Sequence, residues 1–321
     1  MEQDARRPQT GDVTSSPFDT RLIRELQLDG RASIQDLARR LGTSRDLVSQ
    51  RLRALTGEGG LRITAALDPA VAGHHVLVHG MVRISGPTAA VAERIAAMRN
   101  IVFVSKVSGT DPLVFESRHG SVEELHRMLD LVREIPAVQR VRVTTYAEVL
   151  KGFFVSAQPS EVSLDALDHE LIEILRDDGR ASFRELAEAV HLSPSSVRSR
   201  VRKLVDSGAI RISATYAGGL SRSRLAIGFG IGSGGPSEPV SQFLNDSPAV
   251  EFAARTHGRH DFIGTVVGPS SAELLTVLDE LRALPGVNEV ESWVHLDVVK
   301  EAYAEAFDPL VHLTTSDEAT A

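Results

Sequence analysis

The chain has 321 residues, 42% of them apolar and 24% charged, with a net charge of −8 and no cysteine. That length supports two or more domains with real cores, and the lack of cysteine excludes disulfides, thiolate metal sites and a cysteine nucleophile. Aromatic residues make up 5%, too few for a surface of stacked bases, and no apolar run is long enough for a membrane span.

Residues 1–16 are polar and read as a disordered lead without a secretory signal. Asp19 is placed to cap a first helix with Leu22, Ile23 and Leu26 on its apolar face. Asp29-Gly30 closes it, through the ease with which glycine takes the left-handed conformation. Ser33 caps a second short helix, Gly42 makes a turn, and Ser44 caps a third helix that buries Val48, Leu52 and Leu55. A short strand at Leu61-Arg62-Ile63 follows. From there the pattern reads strand (His75–Ser85), helix (Pro87–Met98), strands (Ile101–Val107 and Leu113–Glu116), helix (Ser121–Ile135) and strand (Val138–Ala147). This is the βαββαβ order of a ferredoxin-like domain.

The same order then repeats. The pentapeptide DGRAS at 29–33 recurs at 178–182, and over residues 18–65 twenty of 48 positions are identical to those 149 residues later, without a gap. A period this long is a duplicated domain pair rather than a solenoid. The expected fold class is α+β, with two copies of a winged-type helix-turn-helix domain, each followed by a ferredoxin-like βαββαβ domain. The expected boundaries are lead 1–16, helix-turn-helix 17–65, α/β domain 66–151, linker 152–164, helix-turn-helix 165–214, α/β domain 215–307 and tail 308–321.

Basic residues gather where the repeat is strongest. Residues 39–62 carry six arginines against Asp46 and Glu58, and residues 193–211 carry five basic side chains against Asp206. Two short helices joined by a tight turn, the later one basic and serine-capped, is the plan that places a recognition helix in the major groove. With Val48, Leu52 and Leu55 inward, the outward residues are Arg45, Asp46, Ser49, Gln50 and Arg53. In the second copy Val197, Val201 and Leu204 turn inward, leaving Ser195, Ser196, Arg198, Ser199 and Arg202. Arginine suits guanine or phosphate, glutamine suits adenine, and serine suits either. Arg51 and Arg200 fall near the packed face, where a structural or phosphate role is expected instead of base reading.

Each half resembles the Lrp/AsnC (leucine-responsive regulatory protein) family of transcription regulators. The features that carry the likeness are the Asp19 and Asp168 helix starts, the DGRAS turn, the Leu-Ala pair of the second helix and the run SPSSVRSRVRKLVDSGAI. The resemblance implies a DNA-binding regulator, here a family dimer written as one polypeptide. It implies double-stranded DNA and an amino-acid-like small-molecule effector as partners, and homo-oligomers formed through the α/β domains. The family's Gly-x-x-Asp effector loop is matched by Gly258 and Asp261, and in altered form by Gly109 and Asp111. Fused chains of this size also resemble siroheme decarboxylases, which carry a His-Cys-Tyr-x-Arg-like segment absent here. The expectation is therefore no enzyme, no cofactor, no metal and a cytoplasmic location. The glycine cluster 228–235 lacks the Gly-Lys-Ser/Thr of a P-loop and reads as a strand running into a flexible loop.

Overall fold

The computed structural model describes residues 16–57, 60–152, 163–216 and 225–303. Residues 1–15 of the expected lead, 153–162 of the expected linker and the expected tail 308–321 lie outside them.

The first copy begins with α1 (Pro17–Leu28), α2 (Ile34–Leu41), α3 (Arg45–Gly57) and β1 (Leu61–Leu67). It continues as β2 (Val76–Ile84), α4 (Ala89–Ala96), β3 (Ile101–Val107), β4 (Leu113–His119), α5 (Val122–Arg133) and β5 (Val138–Lys151). The second copy repeats this as α6 (Ala166–Asp177), α7 (Phe183–Ala189), α8 (Pro194–Asp206), β6 (Ile210–Tyr216) and β7 (Leu225–Ser233). It closes with α9 (Glu238–Asp246), β8 (Val250–His257), β9 (Phe262–Gly268), α10 (Ser271–Arg282) and β10 (Val287–Glu301).

The caps differ from expectation in one respect. Ser16 and Asp165 are the N-caps of α1 and α6, and Asp19 and Asp168 are the third helical residues that bond back to them in capping boxes. Being one turn inside the helix frees each aspartate to face the third helix of its own copy. Ser33, Ser182 and Ser193 cap α2, α7 and α8 as read from the sequence, and Gly42 is left-handed at φ 65°. Each cap satisfies an amide the helix leaves open, worth about 1 kcal/mol.

The two helix-turn-helix units do not form separate domains. Leu22, Leu37 and Leu55 from the first copy and Leu171, Leu186 and Leu204 from the second belong to one hydrophobic core. Strands β1 and β6 pair with each other, antiparallel, from Leu61↔Tyr216 to Leu67↔Ile210. The expected wing in each copy is thus one strand of a shared two-stranded ribbon, because each copy supplies only one strand and its partner amides lie in the other.

The remaining eight strands close into a single barrel in the order β10-β3-β4-β2-β5-β8-β9-β7. Two long strands bind the halves. Strand β5 pairs with β2 up to Thr145 and with β8 beyond it. Strand β10 pairs with β7 through Val294 and with β3 from His295 onward. The spacing predicts that the first of these strands ends at Ala147; the residues beyond it are a crossing arm, whose partner β8 is in the opposite half. Helices α4 and α5 cover one side of the barrel over Val82, Ile101 and Phe115, and α9 and α10 cover the other over Phe229, Phe262 and Val266. In the glycine cluster the expected strand is present and runs on to Ser233 before the loop begins. A Cβ at Gly228 would fall 2.1 Å from the Trp293 indole, and one at Gly230 would fall 2.5 Å from the His260 ring. These glycines make room for aromatic rings.

Candidate functional site

Helices α3 and α8 bury the three residues that spacing assigned to each: Val48, Leu52 and Leu55, and Val197, Val201 and Leu204. Arg45, Asp46, Gln50 and Arg53 are exposed and Ser49 half-buried on α3, while Ser195, Ser196, Arg198, Ser199 and Arg202 are all exposed on α8. The Ser195 and Ser196 hydroxyls both approach Ser193 Oγ, at 2.9 and 2.8 Å. Arg198 leans over the Phe183 ring, 5.2 Å from its centroid.

Arg51 and Arg200 are structural. Arg51 Nε donates to Asp19 Oδ1 at 2.8 Å and Nη2 to Oδ2 at 2.5 Å. Burial would raise the Asp19 carboxyl, but these bonds and the Ser16 cap outweigh it and hold it below its usual range. Arg200 Nη1 reaches Asp165 at 2.7 Å and Asp168 at 2.8 Å. Each third helix is thereby pinned to the first helix of its unit.

Gly109 and Asp111 lie in the β3–β4 turn, and Gly258 and Asp261 in the β8–β9 turn. Asp111 is buried and ion-paired to Arg142 and Arg83, the latter at 2.9 Å, with Arg140 at 3.9 Å. Asp261 is exposed, and its Oδ2 accepts the Ser233 amide at 2.6 Å. None of the four lines the cavity inside the barrel.

That cavity is the part of the molecule sequence reasoning missed. Its empty volume, mouth included, is about 1040 Å³. Its polar lining includes His79, Glu116, Arg118, Tyr146, His295 and Tyr303, beside Trp293, with Glu251 and Glu301 also on the wall. Tyr303 donates its hydroxyl to Glu116 at 3.0 Å, and Arg118 Nη1 donates to the Tyr303 carbonyl at 3.3 Å. Burial pushes the Glu116 carboxyl up to about 7, against the pull of Tyr303 and Arg118. Burial also holds the His79 and His295 imidazoles down, to about 3 and about 4, so both are neutral. A signal was present in the polar letters of β2 and β4: His79, Glu116 and Arg118 alternate onto the barrel's inner face. The cluster itself was invisible, because its members span residues 79 to 303.

Among the described residues, no helix is long and apolar enough to cross a membrane. The family model of the AsnC-type helix-turn-helix domain matches twice, at residues 17–56 and 164–205. That of the Lrp/AsnC ligand binding domain matches residues 232–305. The HTH-type transcriptional regulator FL11 of Pyrococcus horikoshii is 31% identical over 142 residues, covering 44% of this chain and 94% of that protein. The regulator LysM of Sulfurisphaera tokodaii is 26% identical over 135 residues, covering 42% and 96%. Among solved structures, the siroheme decarboxylase NirDL superposes with a TM-score of 0.59 at 14% identity, over 89% of this chain and 93% of that one.

The last match corrects one expectation. Missing cysteine and a missing His-Cys-Tyr segment argued against an enzyme, yet the fold of almost the whole chain is one that an enzyme also uses. The regulator relatives each match about half of this chain, as a tandem duplication requires, and the chain belongs to the Lrp/AsnC family of DNA-binding, ligand-binding transcription regulators.

Proposed function

We propose that the chain is a sequence-specific transcription regulator acting as a covalent pseudo-dimer, its two recognition helices addressing two half-sites of one operator. The observation that carries this reading is the pair α3 and α8, each packed on one face and presenting arginine, serine or glutamine on the other. The base-facing candidates are Arg45, Asp46, Ser49, Gln50 and Arg53 on one helix, and Ser195, Ser196, Arg198, Ser199 and Arg202 on the other. Because the two sets differ, the operator is asymmetric. Fusion keeps the two units paired at any protein concentration. An amino-acid-like effector binds at the turns holding Gly258 and Asp261, with Gly109 and Asp111 as the altered counterpart, and further copies associate through the α/β halves. Asp111 is already held by arginines, so the second-half turn is the more accessible of the two.

The test is a gel-shift comparison of wild type with Arg53→Glu and Arg202→Glu. Each reversal is expected to weaken binding at least tenfold and to reduce its salt dependence, since each removes a phosphate- or base-seeking cation. Unchanged affinity in both variants would sink the reading.

A second reading is favoured by the near full-length likeness to NirDL. In it the barrel acts on a bound carboxylate: the bond to the carboxyl carbon breaks, carbon dioxide leaves, and a proton replaces it. Glu116, a carboxyl near 7, is the residue suited to hold that proton. Incubation with siroheme, followed by absorbance and product mass, separates the two readings.

A further inference from the structure

We propose that the barrel interior is a binding site for an uncharged, largely apolar ring compound bearing hydroxyl or carbonyl oxygens, of the phenol or quinone class. This goes beyond the regulator reading and is separate from the Gly-Asp turns. Four polar atoms on the cavity wall carry it. His79 Nδ1 and Nε2, His295 Nε2 and Trp293 Nε1 are all buried without a hydrogen-bond partner. Their residues are 5%, 9% and 3% exposed and all line the cavity. A folded interior leaves few such groups, because each forfeits its hydration without return.

The chemistry of these atoms defines the ligand. A neutral imidazole with both nitrogens open offers one donor and one acceptor, and an indole offers a donor only. A hydroxyl answers the first and a carbonyl or second hydroxyl the other. The charged groups call for nothing: the one cation of the wall, Arg118, is joined with Glu116 through Tyr303, and the remaining two, Glu251 and Glu301, are acids with interactions of their own. A ligand charge would be desolvated without a matched partner. Most of the rest of the wall is apolar, including Leu77, Val102, Phe252, Ile263 and Val298.

The site is also singular. At an offset of 149 residues, the second half has Gly228, Thr265 and Val267 where the first has His79, Glu116 and Arg118. Conversely, His295 and Trp293 of the second half stand where the first has Tyr146 and Thr144. The two halves thus supply different polar groups to one shared cavity, so one chain holds one ligand.

Trp293 is the single tryptophan of the chain, so protein labelled with ¹⁵N-tryptophan gives one indole resonance. Titration with 4-hydroxyacetophenone is expected to shift it saturably at one equivalent per chain. His79→Phe should weaken binding about tenfold, as loss of the hydrogen bonds at one side chain implies. Ala226→Leu, which fills the opposite wall without removing a polar group, should weaken it at least as much and decides the matter if His79→Phe does not fold. L-tyrosine, a similar ring carried on a zwitterion, should leave the resonance unmoved. The proposal is overturned by absence of a shift, by equal affinity in the variants, by a stoichiometry of two, or by comparable binding of L-tyrosine or siroheme. Gel-shift affinity is read independently, so failure here leaves the regulator reading standing.

Discussion

Glu116 places an ionisable carboxyl inside the barrel with one hydroxyl donor, Tyr303, at 3.0 Å. Its folded-state value of about 7 lies above the ordinary 4.5, so the native protein keeps a proton that the unfolded chain releases. Stability therefore falls as pH rises from about 4.5 and stops falling above about 7, a loss on the order of 3 kcal/mol at full extent. His79 and His295 act in the opposite sense: their folded values lie below 6.5, and their contribution is lost as pH falls below the unfolded value. Glu116→Gln removes only the first slope and retains the bond from Tyr303. Urea unfolding at pH 5 and pH 8 should show a variant close to wild type at the lower pH and about 2–3 kcal/mol more stable at the higher. Equal differences at both would mean that the carboxyl titrates normally. The polar letters of β4 show in the sequence, but the raised proton affinity of Glu116 comes from burial in a barrel that both halves close, with Tyr303, 187 residues away, pulling against it.

At the scale of elements, the repeated DGRAS has a purpose its letters suggested only in part. The sequence reading gave Gly30 a left-handed conformation that ends α1, but neither Gly30 nor Gly179 has positive φ. Instead the backbone approaches the ribbon: the Gly30 amide donates to Ile212 O at 3.0 Å and the Gly179 amide to Ile63 O at 2.8 Å. A Cβ at Gly30 would stand 2.8 Å from that same oxygen of Ile212. The arginines then exchange. Arg31 donates to the carbonyls of Gly179 and Ala181, both at 2.8 Å, and Arg180 to those of Gly30 and Ala32, at 2.8 and 3.0 Å. The motif recurs because each copy is the other's partner. Each of Arg31→Ala and Arg180→Ala should cost about 2–3 kcal/mol in urea unfolding, as expected for charged donors to half-buried carbonyls. The double variant should cost more than the sum, because burial and then the charge of Arg180 disfavour the charged form of Arg31, so each single loss is partly offset by relief of that repulsion, and the relief is counted only once in the double variant. Helix faces were legible because Val48, Leu52 and Leu55 follow the period of one helix. The shared ribbon was not, because its register joins Leu61 to Tyr216 and no local pattern encodes a partner so distant.

At the scale of the molecule, duplication has left a scaffold that is symmetric and surroundings that are not. Asp111 among arginines at 83, 140 and 142 corresponds, 149 residues on, to His260 beside Glu291, where Arg259 meets Glu289 and Glu291. The charge pattern at one rim of the barrel is inverted at the other, a divergence open to halves that share one chain. The halves were legible as copies from the offset alone; their interlocking was not, since it resides in the ends of β5 and β10. Lys151 and Lys300 show what those ends do. Lys151 Nζ donates to the carbonyls of Asn245 and Ser247 at the C-terminal end of α9, and Lys300 Nζ to those of Ala96 and Met98 at the C-terminal end of α4. Each lysine closes a helix of the opposite half, where a cation suits the carbonyl end. These contacts, the common core under β1 and β6, and the closed barrel hold the halves without help from the connecting peptide. A protease site placed between Gly152 and Ser163 and then cut should therefore leave a particle that co-elutes with intact protein in size-exclusion chromatography at micromolar concentration. What cutting removes is the tether's effective concentration, in the millimolar range for a short connection. At about 1 μM the nicked protein should be less stable by about 4 kcal/mol, the equivalent of a thousandfold dilution. Its melting temperature should rise with concentration, by about 2.7 kcal/mol in stability from 1 to 100 μM, while that of intact protein stays fixed. Separation of the halves on the column would mean that the tether, not the interlocked strands, keeps them together.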